Sequence, residues 1–382
     1  MVRILNIIGA RPQIIKSAAM SRAVKGIFSD TIEEIILHTG QHYDENMSGV
    51  FFDEMGIPSP KYNLSVGSGS HGVQTALMIT GMEEVLLLEK PDCAVVYGDT
   101  NSTLAAAVAA SKLHVPIAHI EAGLRSFNKN MPEEINRIMC DHASTLLFTP
   151  TARGLQNLIR EGFDPAATGP YSVNHPGVFH CGDIMYDNTL HFASIADRTG
   201  RILQEHQLEG KPFALVTLHR DHNTDHAGNM QSIFMALICL ARESGLVFFI
   251  PLHPRSSQLL EAQLGKALYD EVMSNPSVKL AKPVTFLEMI CLERAAKIIL
   301  TDSGGVQKES YFFKKPCVIL RPETEWTEIV DSGAAVLAGA DEDRIIQSVR
   351  KFLDTPPRQF PSVFGDGRAA EFICGKLIEN FA

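Results

Sequence analysis

No apolar run in this 382-residue sequence reaches the roughly 18 residues that a helical membrane span needs. The N-terminal "MVRILNIIGARP" has an apolar stretch too short for a signal peptide and runs into a turn, so a cytoplasmic protein is expected. No C-x-x-C pair occurs. The seven cysteines, Cys93, Cys140, Cys181, Cys239, Cys291, Cys317 and Cys374, are odd in number and scattered, several of them in apolar runs. They read as reduced core residues rather than zinc ligands or a disulfide framework. A basic excess is also missing: 34 Lys and Arg face 44 Asp and Glu, for a formal charge of −10. That balance argues against a nucleic-acid partner, which requires a broad positive surface. An anionic ligand would have to find its positive partners locally.

What is present is the composition of a globular protein, 45% hydrophobic and 20% charged, in a chain longer than one core usually serves. Two domains are expected. Short β-branched runs ("VRILNII", "EEIILH", "CAVVYG", "PIAHI", "TLLFT", "VFHCG", then "FALVTLH", "LVFFIPL", "VKLA", "KIILT", "PCVIL") alternate with amphipathic helical patterns such as "QIIKSAAMSRAVKGIF" and "GNMQSIFMALICLARE". This alternation predicts an α/β fold of parallel sheets covered by helices. The strands are continuously apolar, as strands buried on both faces are. The helical stretch from Asp183 to about Leu208, followed by "EGKP", marks the boundary between halves.

The halves echo each other. "AVVYG" leads to the turn "DTNS" and a helix, and "KIILT" leads to "DSGG" and a helix. Both set an Asp and a small hydroxyl residue at the carboxyl end of a strand, where open α/β sheets bind ligands. Two such domains facing each other would enclose one cleft. In "IIGARPQIIK", Arg11 and Lys16 lie beside a helix start with Pro12 near its first position, a setting for a phosphate or carboxylate. In "LTDSGGVQKES", Gly304 and Gly305 let a phosphate approach the backbone, Ser303 supplies a hydroxyl and an N-cap, and Glu309 could accept from a ribose diol. No G-K-[ST] follows, so this is not a Walker loop. "GSGSHG", Gly67 to Gly72, matches G-x-G-x-x-G literally but follows the polar "KYNLSV", and reads as a loop. "LHRDHNTDH" offers His219, His222 and His226 without the helix and carboxylate context of a metal site; His219, first after its strand, is best placed for a ligand, and His253 in "IPLHPRS" is its counterpart. Glu121 directly follows "PIAHI", a strand end in the same half as that of Asp99. Glu133 and Glu134 sit in the first turn of "PEEINR", where acids suit the helix dipole in any case.

Taken in order, "GARPQIIK", "GQHYDENM", "YGDTNSTLA", "HIEAGLRS", "PEEINR", "LHR", "TDSGGVQKE" and "FGDGRAAE" resemble the non-hydrolysing UDP-N-acetylglucosamine 2-epimerases over nearly the whole chain. That resemblance implies two Rossmann-like domains of the glycosyltransferase-B kind around a cleft, with a C-terminal helix returning to the first domain, and usually a homodimer. Residues 1–185 with 366–382 would form the domain of the catalytic acids, and 186–365 the UDP-binding domain. Carried over by position, Asp99, Glu121, Glu133, His219 and Lys16 are the expected catalytic groups. Arg11, Arg137, His253, Ser303, Gly304, Gly305 and Glu309 are the expected substrate-binding groups. Glu134 matches an acid not usually assigned to catalysis, so a Gln there is expected to be mild.

The implied reaction fits these residue types. C2 of an N-acetylglucosamine has no adjacent carbonyl, so its proton becomes removable only as the C1–O bond breaks and UDP departs. Stabilising the departing anion is the main electrostatic task, and inversion needs acid–base groups on two faces. No metal or redox cofactor is implied. Two departures stand out. "GARPQ" and "ETEWTE" replace the "GTRPE" and "TTERPE" of glucosamine-type members, so Trp326 stands where the family has arginine. Together with "HYDENM", they bring the sequence nearer the branch acting on UDP-2,3-diacetamido-2,3-dideoxyglucuronate. A glycosyltransferase or a hydrolysing epimerase of the same fold are the competing readings.

Overall fold

The structure is a computed structural model, and it describes residues 1–41, 56–199, 201–252 and 254–382. The chain divides into two compact units, Met1–Asn188 with Ser362–Ala382, and Thr189–Pro361.

The first unit holds a seven-stranded parallel sheet of β1 (Val2–Ile8), β2 (Ile32–His38), β3 (Tyr62–Asn63), β4 (Cys93–Tyr97), β5 (Ile117–Ile120), β6 (Leu146–Thr149) and β7 (Gly177–His180), in the order β3-β2-β1-β4-β5-β6-β7. Helices α1 (Arg11–Gly26), α2 (His71–Glu89), α3 (Asn101–Lys112), α4 (Pro132–Ala143) and α5 (Ile184–Thr199) follow in chain order, the last running across the division between units. The residues of β4 are all buried, which explains why "CAVVY" carries no polar alternation. Ala105, Ala106, Ala109 and Ala110 give α3 a small-residue face, and it packs with Met78, Met82 and Leu86 of α2 on the sheet. Gly67–Ser70 of "GSGSHG" form the loop into α2, with Ser70 as N-cap, and His71 and Gly72 are the first residues of that helix. Two-residue β3 comes from the "KYN" segment, too short and too polar to show as a strand in the sequence.

The second unit repeats the plan with six parallel strands: β8 (Phe213–Thr217), β9 (Val247–Pro251), β10 (Val278–Ala281), β11 (Ile298–Thr301), β12 (Cys317–Ile319) and β13 (Ala335–Leu337). Their order is β10-β9-β8-β11-β12-β13. Helices α6 (Ala227–Ser244), α7 (Phe286–Ala295), α8 (Gly304–Phe312) and α9 (Glu342–Asp354) cover it, with Ile233, Phe234, Leu237, Phe248 and Val349 at the centre of its core. The parallel α/β architecture expected from strand–helix alternation is present in both units.

In each unit the strand order reverses direction beside the first strand, between β1 and β4 and between β8 and β11. A crevice opens at such a switch point, outside the carboxyl ends of the strands. The turns after β4 and β11 are the echoed "DTNS" and "DSGG".

The last helix, α10 (Ala369–Phe381), belongs to the first unit and packs on α1. Asp187 accepts hydrogen bonds from the Ala369 and Ala370 N–H groups at 3.1 and 2.8 Å, satisfying donors that a helix start leaves open. Burial raises the Asp187 carboxyl to about 6, against the pull of those two donors.

Candidate active site

In the first unit, parallel pairing of Tyr97 with Ile120 puts the ends of β4 and β5 at one level, and Gly98 N–H donates to the Ile120 carbonyl at 3.0 Å. The next residues are Asp99 and Glu121, so two carboxylates leave adjacent strand ends beside the switch point. Lys16 of α1 donates to Glu121 in an ion pair whose side chains are only 12% and 9% exposed. Gly98 leaves room beside this contact. A Cβ there would stand 3.1 Å from Glu121 Oε2 and 3.2 Å from Lys16 Nζ, at a φ of +61° that L-residues avoid. Gly98→Ala is expected to cost about 1–3 kcal/mol and to displace both charged groups. Thermal denaturation and turnover of the variant check this, and an unchanged kcat would refute it.

Asp99 is the more open carboxylate, its side chain 31% exposed. Arg137 of α4 holds it at 2.5 Å and reaches back to Glu134 at 3.1 Å. Asn136 Nδ2 fixes the Asp99 carbonyl at 2.8 Å. The two acids of "PEEINR" separate by helical rotation. Glu133 faces solvent, while Glu134 is 1% exposed. Glu134 accepts from Ser126 N–H at 2.8 Å, Ser126 Oγ at 3.1 Å and Phe127 N–H at 2.9 Å, besides Arg137. Burial with four donors replaces the expectation that Glu134 tolerates Gln: the acid organises the loop before α4 and the arginine that grips Asp99. Arg137, expected among the substrate-binding groups, is taken up by these two carboxylates. Arg11 is exposed at the first position of α1.

Three groups beneath these strand ends escaped the sequence reading. His119, fully buried in β5, lies 2.8 Å from the Gly98 carbonyl through Nε2 and 2.7 Å from Asp141 through Nδ1. Both partners accept, so both nitrogens donate. Burial disfavours that charge, but the neighbouring Cys140 and Asp141 outweigh it and hold the imidazole well above its usual range. Asp141 in turn meets Arg125 at 2.7 Å and the Gly123 N–H at 3.1 Å. Gln13 accepts from the Gly9 and Ala10 N–H groups at 2.9 and 3.1 Å, and donates to the Tyr97 carbonyl and Thr103 Oγ1, both at 2.9 Å. It ties the end of β1 to the end of β4. Nothing in a one-letter string distinguishes such a glutamine from a surface one.

In the second unit, His219 follows β8 and is exposed. Its N–H donates to the buried Asp302 at 3.0 Å, and Arg220 N–H and Asn223 Nδ2 join on the same carboxylate at 3.2 and 3.0 Å. Asp302 thereby fastens the "LHR" turn to the "DSGG" turn, a role the sequence did not reveal. Ser303 is the N-cap residue of α8, as expected, but its hydroxyl makes no capping bond. The first-turn N–H groups beside Gly304 and Gly305 are therefore not taken by the cap, which suits an anion. Glu309 lies on the same helix, 9% exposed.

Trp326 has its indole Nε1 3.7 Å from where a Cβ would stand on Gly304. Lys308, 4% exposed, places Nζ 4.2 Å from the centroid of that indole. A buried cation stacked on an aromatic face is a favourable arrangement, and it places positive charge near the helix start. The sequence reading singled out Trp326 but not Lys308. His253 lies outside the described residues. Among the described residues, no three His, Cys, Asp or Glu side chains are grouped as metal ligands, and no helix is long and apolar enough to cross a membrane.

Two α/β units of Rossmann strand order, with ion-paired acids at the strand ends of one and an anion-receptive helix start in the other, define an enzyme of the two-Rossmann-unit class. The chain belongs to the UDP-N-acetylglucosamine 2-epimerase family, whose sequence model matches residues 27–378. It is accordingly an isomerase that epimerises UDP-sugars. Over 376 residues it is 47% identical to the UDP-2,3-diacetamido-2,3-dideoxy-D-glucuronate 2-epimerase of Pseudomonas aeruginosa, covering 98% of this chain and 99% of that protein. It is 46% identical to a UDP-N-acetylglucosamine 2-epimerase homolog of Methanococcus maripaludis, over 97% of each chain. Among solved structures, it superposes with a TM-score of 0.83 on the UDP-GlcNAc 2-epimerase of Methanocaldococcus jannaschii in complex with UDP-GlcNAc and UDP, at 40% identity, covering 99% of this chain and 100% of that one.

Proposed function

We propose that the enzyme inverts C2 of a UDP-2-acetamido sugar, converting UDP-N-acetylglucosamine to UDP-N-acetylmannosamine. A base takes the C2 proton as the C1–O bond breaks, UDP leaves as an anion, and 2-acetamidoglucal remains. A proton then arrives at C2 from the other face and UDP adds back at C1. The observation that carries this reading is the pair of carboxylates, Asp99 and Glu121, at adjacent strand ends, each held by its own cation.

Glu121, Asp99 and Glu133 are the proton-transfer groups, with Lys16 paired to Glu121. A sheltered carboxylate held by a lysine at a strand end is placed to take a proton from a bound sugar. The second unit holds UDP: Ser303, Gly304 and Gly305 take the diphosphate, Glu309 the ribose, and His219 stands at the departing phosphate. Arg11 and His253 complete the substrate-binding set, while Arg137 positions Asp99. The α2 side chains Val73, Leu77, Leu87 and Leu88 are all more than half exposed, which supports a homodimer. None of the seven cysteines is in a disulfide, in keeping with a reducing cytoplasm.

The second reading is the same inversion on UDP-2,3-diacetamido-2,3-dideoxyglucuronate. The Pseudomonas aeruginosa relative favours it. Incubation of each sugar nucleotide with enzyme in heavy water, followed by NMR of the anomeric protons, separates the readings. Deuterium enters C2 of the true substrate alone, and no entry with either sugar overturns both.

A further inference from the structure

Beneath Glu309 lies a carboxyl group that the proposed reaction does not use. Glu293, on α7, is fully buried, and neither of its carboxylate oxygens has a hydrogen-bond partner. Its neighbour is the Glu309 carboxyl of α8, the helix packed against α7. Two ionised carboxylates are acceptors only and cannot bond to each other. Side by side out of water they also repel, so both cannot stay charged. Burial, and then the Glu309 charge, push the Glu293 carboxyl well above the usual carboxylate range.

The other neighbours do not relieve it. Cys317 of β12, another titratable group beside Glu293, is itself a buried thiol raised to about 12 by desolvation. The short helix Ile202–Glu205, also packed on α7, contributes only the exposed Glu205. On α7 itself Arg294 donates to the Ala193 carbonyl at 3.4 Å, and Glu288 closes the capping box at Thr285. Lys308 of α8 stacks on Trp326, and Lys315 beyond that helix is perturbed by burial and by Arg294.

We propose that Glu293 and Glu309 hold one proton between them, and that Glu293 is thereby a positioning residue that leaves Glu309 an oriented carboxylate oxygen for the vicinal hydroxyls of a nucleoside. The proton turns two repelling acceptors into a donor and an acceptor and fixes the Glu309 rotamer before ligand arrives. The inference rests on reading Glu309 as the ribose contact.

Calorimetric titration of the full-length enzyme with UDP, between about pH 6.5 and 9.5, tests it. In the wild type, affinity falls as alkali removes the shared proton. Glu293→Gln keeps a donor but cannot ionise. It is expected to bind within about threefold of wild type at neutral pH and to lose the alkaline decline. Glu293→Leu removes the donor and should weaken UDP about tenfold. An infrared difference spectrum at neutral pH should show a protonated carboxyl band in wild type that is absent from Glu293→Gln. The same alkaline profile in wild type and Glu293→Gln, or no such band, overturns the proposal even where the Leu variant fails to fold. Glu309→Gln separates the two layers. If it binds UDP as wild type does, the ribose assignment itself fails. If it loses affinity while Glu293→Gln keeps the alkaline decline, only the shared proton fails.

Discussion

Glu121→Gln should lower C2 hydrogen exchange by about a thousandfold, the scale of a lost general base, while UDP affinity changes little. The separation follows from where the groups lie. Glu121 stands at the end of β5 in the first unit, whereas the residues proposed to hold UDP are in the second. Gln fills the same space and can still face Lys16, but it cannot take a proton. Deuterium entry at C2 and UDP titration on one preparation check both halves. Exchange within tenfold of wild type would remove Glu121 from the proton-transfer set.

The backbone adds a second test at this residue. Glu121 sits at a φ of +74°, a left-handed conformation that costs a residue with a Cβ up to a few kcal/mol. Glu121→Ala and Glu121→Gly both remove the carboxylate and strand Lys16, so their difference isolates the backbone. The Gly variant should be the more stable, by up to about 1 kcal/mol. Strain held at the residue expected to move the proton supports its functional role.

Glu134→Gln should be damaging rather than neutral. Its two oxygens accept four hydrogen bonds, and a Gln must turn its NH2 toward at least one donor N–H or guanidinium. With an arginine among the partners and the group buried, a loss of about 3 kcal/mol is expected. Arg137 loses the charge of one of its two anchors, so kcat should fall about tenfold through Asp99. The pH dependence has a definite sign. Burial opposes the charge, but the Ser126 and Phe127 donors and Arg137 outweigh it and hold the Glu134 carboxyl below its ordinary value. A lowered carboxylate contributes stability above its unfolded value and loses it as pH falls through the folded one. Wild type should therefore lose its advantage over Glu134→Gln on acidification. Thermal midpoints measured from neutral to acid pH check this, and a constant difference would overturn it.

Much of the fold was legible because parallel strands buried on both faces leave unbroken apolar runs such as "CAVVY" and "KIILT". The turns after β4 and β11 were legible because their composition differs from that of the flanking elements. Strands β3 and β13, two and three residues long, carry too little pattern to be seen. Position at a strand end is a one-dimensional property, so Asp99, Glu121, His219 and Ser303 could be picked out from the sequence. The family resemblance followed from motif order for the same reason.

What lies behind those ends is not one-dimensional. His119 meets Asp141 across 22 positions, Lys16 meets Glu121 across 105, and Asn223 meets Asp302 across 79. The sequence determined the parallel α/β class, the switch-point turns and the residue types that do chemistry there. Tertiary structure alone decided that Glu134 is a buried anchor while Glu133 faces solvent, that Asp302 fastens two turns, and that Glu293 lies against Glu309. Helical rotation and strand pairing choose which side chains lose water, and that loss turns an ordinary carboxyl into a positioned charge or a stored proton.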